Sequence, residues 1–223
     1  MTTGTFPTDL AAAVGDAQEA NRSLTFGRIL TGQAVAEIAF RIRVADDTDL
    51  PALRELIDAS VRGLSVGFYT PLQIESALRF VFGPDTQLLA DRTYYVIEAE
   101  GELVAAGGWS HRRTLYGGDQ HKVADDSELD AAHEPARIRA FFVHPRWARR
   151  GLARVLFREC AAAARAGGFR RLELAATLPG EPLYRALGFV ALEVIDVPMP
   201  DGQILPVIRM ARTLDADMPG VLP

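Results

Sequence analysis

The stretch Phe141-Phe142-Val143-His144-Pro145-Arg146-Trp147-Ala148-Arg149-Arg150-Gly151-Leu152-Ala153-Arg154 has the chemistry of an anion site. An apolar strand stops at a proline and gives way to a turn whose glycine and small residue open a helix. Backbone N–H groups at a helix N-terminus lack intrahelical partners, and the helix dipole adds about half a positive charge there, so a pyrophosphate is well received. Gly151, Leu152 and Ala153 would present that backbone, with Gly151 and Ala153 small enough for phosphate oxygens to approach it. Arg149, Arg150 and Arg154 place positive charge where a helix without a bound anion disfavours it. The alternative reading is a solvated arginine run over an ordinary strand-to-helix turn.

Other reactive side chains give weaker signals. His111, His121, His133 and His144 fall in one stretch with Asp119, Asp125, Asp126, Glu128 and Asp130, but no pair has a recognised ligand spacing, so no metal is expected and a solvated acidic loop is the reading. Cys160 shares the apolar side of its helix with Leu152, Val155, Leu156 and Ala163, which predicts burial rather than an exposed nucleophile.

The elements that must position these residues follow from periodicity. Residues 1 to 37 show no sustained pattern, beyond a short helix that Leu10 to Ala20 could form, and are read as an N-terminal extension. Phe40, Ile42 and Val44 alternate with Arg41 and Arg43, which predicts a first strand. Leu50, Leu53, Ile57 and Val61 recur at helical spacing, and Thr70-Pro71-Leu72-Gln73 predicts a second helix with an N-cap, a proline in its first turn and a reciprocal cap. Tyr94 to Ile97 and Leu103 to Ser110 read as a hairpin around the turn at residues 98–101. Arg112 to Glu134 is a long polar loop or partly formed hairpin. Ile138 to Val143 is a strand, Gly151 to Ala166 a helix closed by two glycines, and Leu172 to Ala176 a strand. A short helix around Leu183 to Leu187 and strands near Phe189 to Val197 and Ile204 to Ala211 complete a domain over 38–215, with a tail at 216–223. The order is mixed α/β, with helices packed on a largely antiparallel sheet.

Composition bounds the function. Apolar residues at 48% and charged residues at 24% are the balance of an ordinary globular domain. The net charge of −5 argues against a general nucleic-acid binder. No apolar run is long enough to span a bilayer, and the first residues lack a signal-peptide pattern, so no membrane association and a cytoplasmic location are expected. A single cysteine agrees with a reducing compartment. Lys122 is the lone lysine among many arginines, a composition bias to which no function is attached.

The segment 136–190 resembles the cofactor-binding half of the GNAT superfamily of N-acetyltransferases. That family's signature reads Arg or Gln, two variable residues, Gly, one variable residue, then Gly or Ala, just after a strand ending in a hydrophobic residue and a proline. Val143, Pro145, Gly151 and Ala153 match it, whereas Ala148 stands where Arg or Gln belongs, with Arg149 and Arg150 beside it. Leu183-Tyr184-Arg185-Ala186-Leu187-Gly188-Phe189 resembles the family's short helix carrying a tyrosine ahead of Gly-Phe.

The resemblance implies a GNAT-like mixed sheet whose fourth and fifth strands, Ile138 to Val143 and Leu172 to Ala176, splay apart around the pantetheine of acetyl-CoA. Backbone groups of Phe141 and Val143 would pair with pantetheine amides, Thr177 would touch the cofactor arm, and Tyr184 would return a proton to the departing sulfur. Members that carry a general base on the fourth strand place it where this chain has Arg137 and Arg139, which cannot serve. Glu134, Glu173, His111 and His144 are alternative bases. The acceptor would enter between the first helices and the third and fourth strands, against Arg62 to Tyr69, Trp109 and the loop at 112–134. Arg137 and Arg139 on one strand face would favour a small amino-acid-like amine over a polyamine, unless both pair with neighbouring carboxylates. A homodimer is also implied. The competing reading, prompted by the missing base, is a non-catalytic acetyl-CoA- or CoA-binding sensor or interaction module.

Overall fold

The computed structural model describes residues 25–31, 34–121 and 126–214. The helix suggested for Leu10 to Ala20, and Lys122 and Asp125, lie outside them. Eight strands form one sheet: β1 (Thr25–Thr31), β2 (Ala34–Val44), β3 (Tyr94–Ala99), β4 (Glu102–Ser110), β5 (Ala136–Val143), β6 (Arg171–Thr177), β7 (Val190–Pro198) and β8 (Ile204–Thr213). Their order is β1-β2-β3-β4-β5-β6-β8-β7. Every pairing is antiparallel except that of β5 with β6, so the sheet is mixed and mostly antiparallel. Among the described residues five α-helices accompany it: α1 (Leu50–Leu64), α2 (Pro71–Phe80), α3 (Thr86–Ala90), α4 (Leu152–Ala166) and α5 (Glu181–Ala186).

The alternation of side chains across the sheet builds two cores. On one face Tyr95, Ile97 and Ala105 meet the apolar stripe of α4, made by Leu152, Leu156, Phe157, Cys160, Ala161 and Ala164. On the other, Tyr94, Val96 and Ala106 meet Leu53 and Leu56 of α1, while Ile57 and Val61 continue towards α2, Leu205 and Val207. Each large aliphatic side chain so buried stabilises the fold by roughly 1.5–3 kcal/mol. At the α2 N-terminus, Thr70 and Gln73 form the reciprocal cap that their spacing predicts. The hairpin turn tightens onto Glu100 and Gly101, both left-handed (φ 53° and 78°), as a two-residue turn that continues strand twist requires.

Two elements differ from the sequence expectation, and the loop after β4 keeps to it. β1 and the start of β2 lie within the stretch read as an extension, because strand pairing here is decided by backbone register against a neighbour rather than by side-chain alternation. α3 went unnoticed since five residues show no helical period; Asp85 caps it by accepting from Gln87 N–H at 3.1 Å. The described part of the loop after β4 is tied down as a partly formed hairpin. Arg112 bridges to Glu128, and Gly118 and Asp119 donate N–H groups to the carbonyls of Val81 and Pro84 at 2.8 and 3.0 Å, clamping the loop to the connection between α2 and α3.

Candidate active site

β5 and β6 pair only at Ala136 with Leu172 and at Arg137 with Glu173, then part. β5 also carries an extra residue against β4, since Phe142 pairs with Ala106 and Arg139 with Gly108; Ala140 absorbs it in a left-handed conformation (φ 55°). Gly107 makes room there, because a Cβ on it would lie 2.8 Å from the Phe141 ring. His144 N–H pairs with Val104, so by alternation the Val143 N–H faces away from β4; it donates to Ser60 Oγ of α1 at 3.2 Å. The parted strands open a cavity of about 720 Å³ running between α1, the loop at 115–118, the turn before α4, and α5.

The far end of β5 leads into a 3-10 turn, Pro145–Trp147, with His144 Nδ1 accepting from Arg146 N–H at 3.2 Å. Arg149 and Gly151 are then both left-handed (φ 65° and 85°), which curls the backbone ahead of α4. Gly151 caps α4 without a side-chain bond, and the intrahelical ladder begins with Arg154 and Val155 N–H on Gly151 O, so the Leu152 and Ala153 N–H groups precede it. A Cβ at Gly151 would meet nothing within 4 Å, and Arg149, Gly151, Leu152, Ala153 and Arg154 all line the cavity. An open, positively charged cradle of this kind fits a pyrophosphate. Arg150 does not line it; its guanidinium stacks 4.7 Å over the buried Trp147 ring and braces the turn instead.

Opposite the cradle, Thr177 at the end of β6 and Tyr184 of α5 face the same cavity. Tyr184 is 8% exposed and packs edge-on against Phe141 and Phe189, with centroids 6.3 and 5.8 Å away. Burial pushes its phenol well above the ordinary tyrosine range, so it stays protonated. Cys160 is fully buried and its thiol is likewise pushed up, which removes it as a nucleophile.

The family model described as Acetyltransferase (GNAT) family matches residues 58–189, more than half of the chain and the segment that builds this cavity. The chain belongs to the GNAT acetyltransferase family. Acetyl-CoA is thus the cosubstrate of this acetyltransferase. No curated protein matches the sequence significantly. Solved structures share the fold at low identity. A GCN5-related N-acetyltransferase from Rhodopseudomonas palustris, described as an aminotransferase of class II, is 18% identical, with 86% of this chain and 99% of that one covered and a TM-score of 0.58. YncA from Salmonella typhimurium, a putative acetyltransferase with its cofactor acetyl-CoA, is 19% identical over 82% and 97% with a TM-score of 0.53. The PaiA N-acetyltransferase from Thermoplasma acidophilum in complex with coenzyme A is 14% identical over 78% and 99%, with a TM-score of 0.51.

The residues expected to meet the acceptor fare differently. Tyr69 is a strut: its hydroxyl donates to Pro206 O at 2.8 Å and accepts from Leu178 N–H at 2.9 Å, and burial pushes its phenol up to about 12. Trp109 is buried in the α4 core against Phe169 and His111, away from the cavity, because its position on β4 points to the α4 face. Arg137 is locked to Glu173 at 2.8 Å, which Arg209 shares. Arg139 borders the cavity, but its side chain is 2% exposed and is committed to the fully buried Asp85 at 2.8 Å and to Gly117 O. The two arginines therefore do not form the anion-selecting face that period-two spacing suggested. The alternative bases also fall outside the cavity: Glu134 pairs with Arg113, Glu173 with Arg137, His111 lies near Asp91 and Glu128, and His144 serves the 3-10 turn.

Sequence reasoning passed over several lining residues. Ser60 and Phe82 carry no motif, and Phe142 was read with its strand, although alternation places its ring on the α1 side, edge to face with Phe82 at 6.1 Å. Phe68 and Tyr116 lie in segments expected to shape the pocket and do line it. Among the described residues no group of three or more His, Cys, Asp or Glu is arranged to hold a metal.

Proposed function

We propose that the protein is an N-acetyltransferase that moves the acetyl group of acetyl-CoA directly to the amine of a small molecule, with no acyl-enzyme. The observation that carries this reading is the buried Tyr184 lining the same cavity as the helix-terminal cradle of α4. In this reading Leu152 and Ala153 N–H, with Arg149 and Arg154, hold the pyrophosphate. Phe141 and Val143 border the pantetheine path, and a backbone N–H there stabilises the charge that develops on the thioester oxygen, an effect often worth about 3–4 kcal/mol per donor. Thr177 touches the cofactor arm, and the Tyr184 hydroxyl donates its proton to the leaving sulfur. With Arg137 and Arg139 both ion-paired, nothing in the cavity supports an amino-acid-like acceptor over other amines. Thiol release on incubating the protein and acetyl-CoA with a panel of amines tests the reading; cofactor binding without turnover on any amine refutes it.

That second outcome would instead mark a non-catalytic acetyl-CoA-binding sensor. Calorimetry run beside the assay separates the two. We also propose a cytoplasmic homodimer: no described helix is long and apolar enough to cross a membrane, and edge strand β7 exposes Val190, Leu192 and Val194. Mass measurement in solution tests the assembly, and fractionation the location.

A further inference from the structure

The half of the cavity away from the cradle has a distinct chemistry. Phe68, Phe82, Leu115, Tyr116 and Phe142 wall it, with Ser60 and Ser65 as its hydroxyls. Phe82 and Phe142 meet edge to face, and the Tyr116 ring stacks on His121 at 5.3 Å and 26°, so two sides of the chamber are aromatic surfaces. The loop that carries Tyr116 is held by the bonds of Gly118 and Asp119 to the connection before α3. No Asp, Glu, His or Lys is among the described residues that line the cavity, and the cationic Arg139 at this end is already neutralised by Asp85. Beyond Asp85, the carboxylates acting on Arg139 are Asp126, which accepts from Thr114 N–H at 2.9 Å, and Asp119, which accepts from Thr86 N–H at 3.1 Å; on the α1 side Arg62 engages Asp58 and Glu75.

We propose that this chamber selects an apolar, aromatic-sized amine and that the amine enters in its neutral form, so that weakly basic amines are the preferred acceptors. The proposal rests on the acetyl-transfer reading above. An ammonium group entering the chamber would lose its water with no carboxylate among the described lining residues to replace it, whereas a neutral amine enters without a counter-ion. Spermidine-like polycations and free amino acids are disfavoured for the same reason, since their extra charges find no open partner among the described residues of the chamber. The reaction balances without a base on the protein: one C–N bond forms and one C–S bond breaks. Once the C–N bond has formed the nitrogen releases its proton to water at the cavity mouth, and the sulfur gains one from Tyr184, whose oxygen is reprotonated from solvent.

The test compares kcat/KM for 4-methylbenzylamine and 4-nitrobenzylamine, which share a shape but differ in basicity, with spermidine and lysine. Both benzylamines should exceed spermidine and lysine by about tenfold or more. Below its own pKa each should slow by about tenfold per pH unit, so that the two profiles inflect at different pH values set by the amines. Phe82→Ser should raise KM for the benzylamines while leaving KM for acetyl-CoA unchanged. Preference for spermidine or lysine, or profiles that inflect at one shared pH, overturns this inference and leaves acetyl transfer standing. No turnover with any amine despite cofactor binding overturns both.

Discussion

Replacing Asp85 by Asn tests whether Arg139 is a structural residue or a substrate contact. Asn keeps the oxygen that caps α3, so the helix start is preserved and the charge alone is removed. The guanidinium of Arg139, 2% exposed and 2.8 Å from a carboxylate with no exposure, then loses its contacting counter-ion and keeps only the longer-range fields of Asp126 and Asp119. Breaking such a pair from one side costs about 3–5 kcal/mol. For a domain of this size each kcal/mol lowers Tm by about 2–4 °C, so the variant should melt about 6–20 °C below the parent. Combining Asp85→Asn with Arg139→Met removes both charges and should recover most of that loss, because a neutral pair no longer needs desolvated compensation. Thermal and urea unfolding of the two single variants and the double variant close a mutant cycle. Acetyl-CoA affinity should be unchanged throughout, since the cradle is built by other residues. A loss below about 1 kcal/mol for Asp85→Asn, the magnitude of a solvated surface pair, would refute the assignment.

Tyr184→Phe should lower kcat by about a hundredfold or more with little change in KM for acetyl-CoA, as expected for a proton donor acting when sulfur leaves; equal rates would reduce Tyr184 to a packing residue. Ala153→Asp puts a negative charge among the N–H groups that precede the α4 ladder and should abolish acetyl-CoA binding by calorimetry while circular dichroism stays unchanged. Burial works to raise the pKa values of Asp49 and Asp91, but hydrogen bonds from Arg43 and the Asp46 N–H, and from Arg112 and Gln87, leave both below the ordinary range. Their stabilisation is present above the unfolded carboxylate pKa of about 3.9 and is lost as pH falls through the lower folded values, so Arg112→Gln should destabilise at pH 7 and cost little near pH 2. An equal penalty in urea melts at both pH values would contradict that assignment.

The local elements around the α4 cradle were readable from the sequence because they depend on short-range physics. A proline that ends β5, a glycine able to take φ 85° and a small residue after it specify the turn before α4 whatever surrounds them. The reciprocal cap of Thr70 with Gln73, the apolar stripe of α4 and the tyrosine ahead of Gly188-Phe189 are local in the same sense. What the acceptor side would look like was decided by contacts between residues far apart in the chain. Arg139 meets Asp85 across 54 positions, Arg137 meets Glu173 across a strand pairing, and Tyr69 reaches Pro206 across 137 positions. Period-two spacing put both arginines on one strand face but could not say that each had a carboxylate waiting. It also could not foresee that the extra residue at Ala140 re-aims the strand just beyond them. Ion pairing and chamber lining are properties of which elements are neighbours, and neighbours are chosen by burial of the whole core rather than by any one segment.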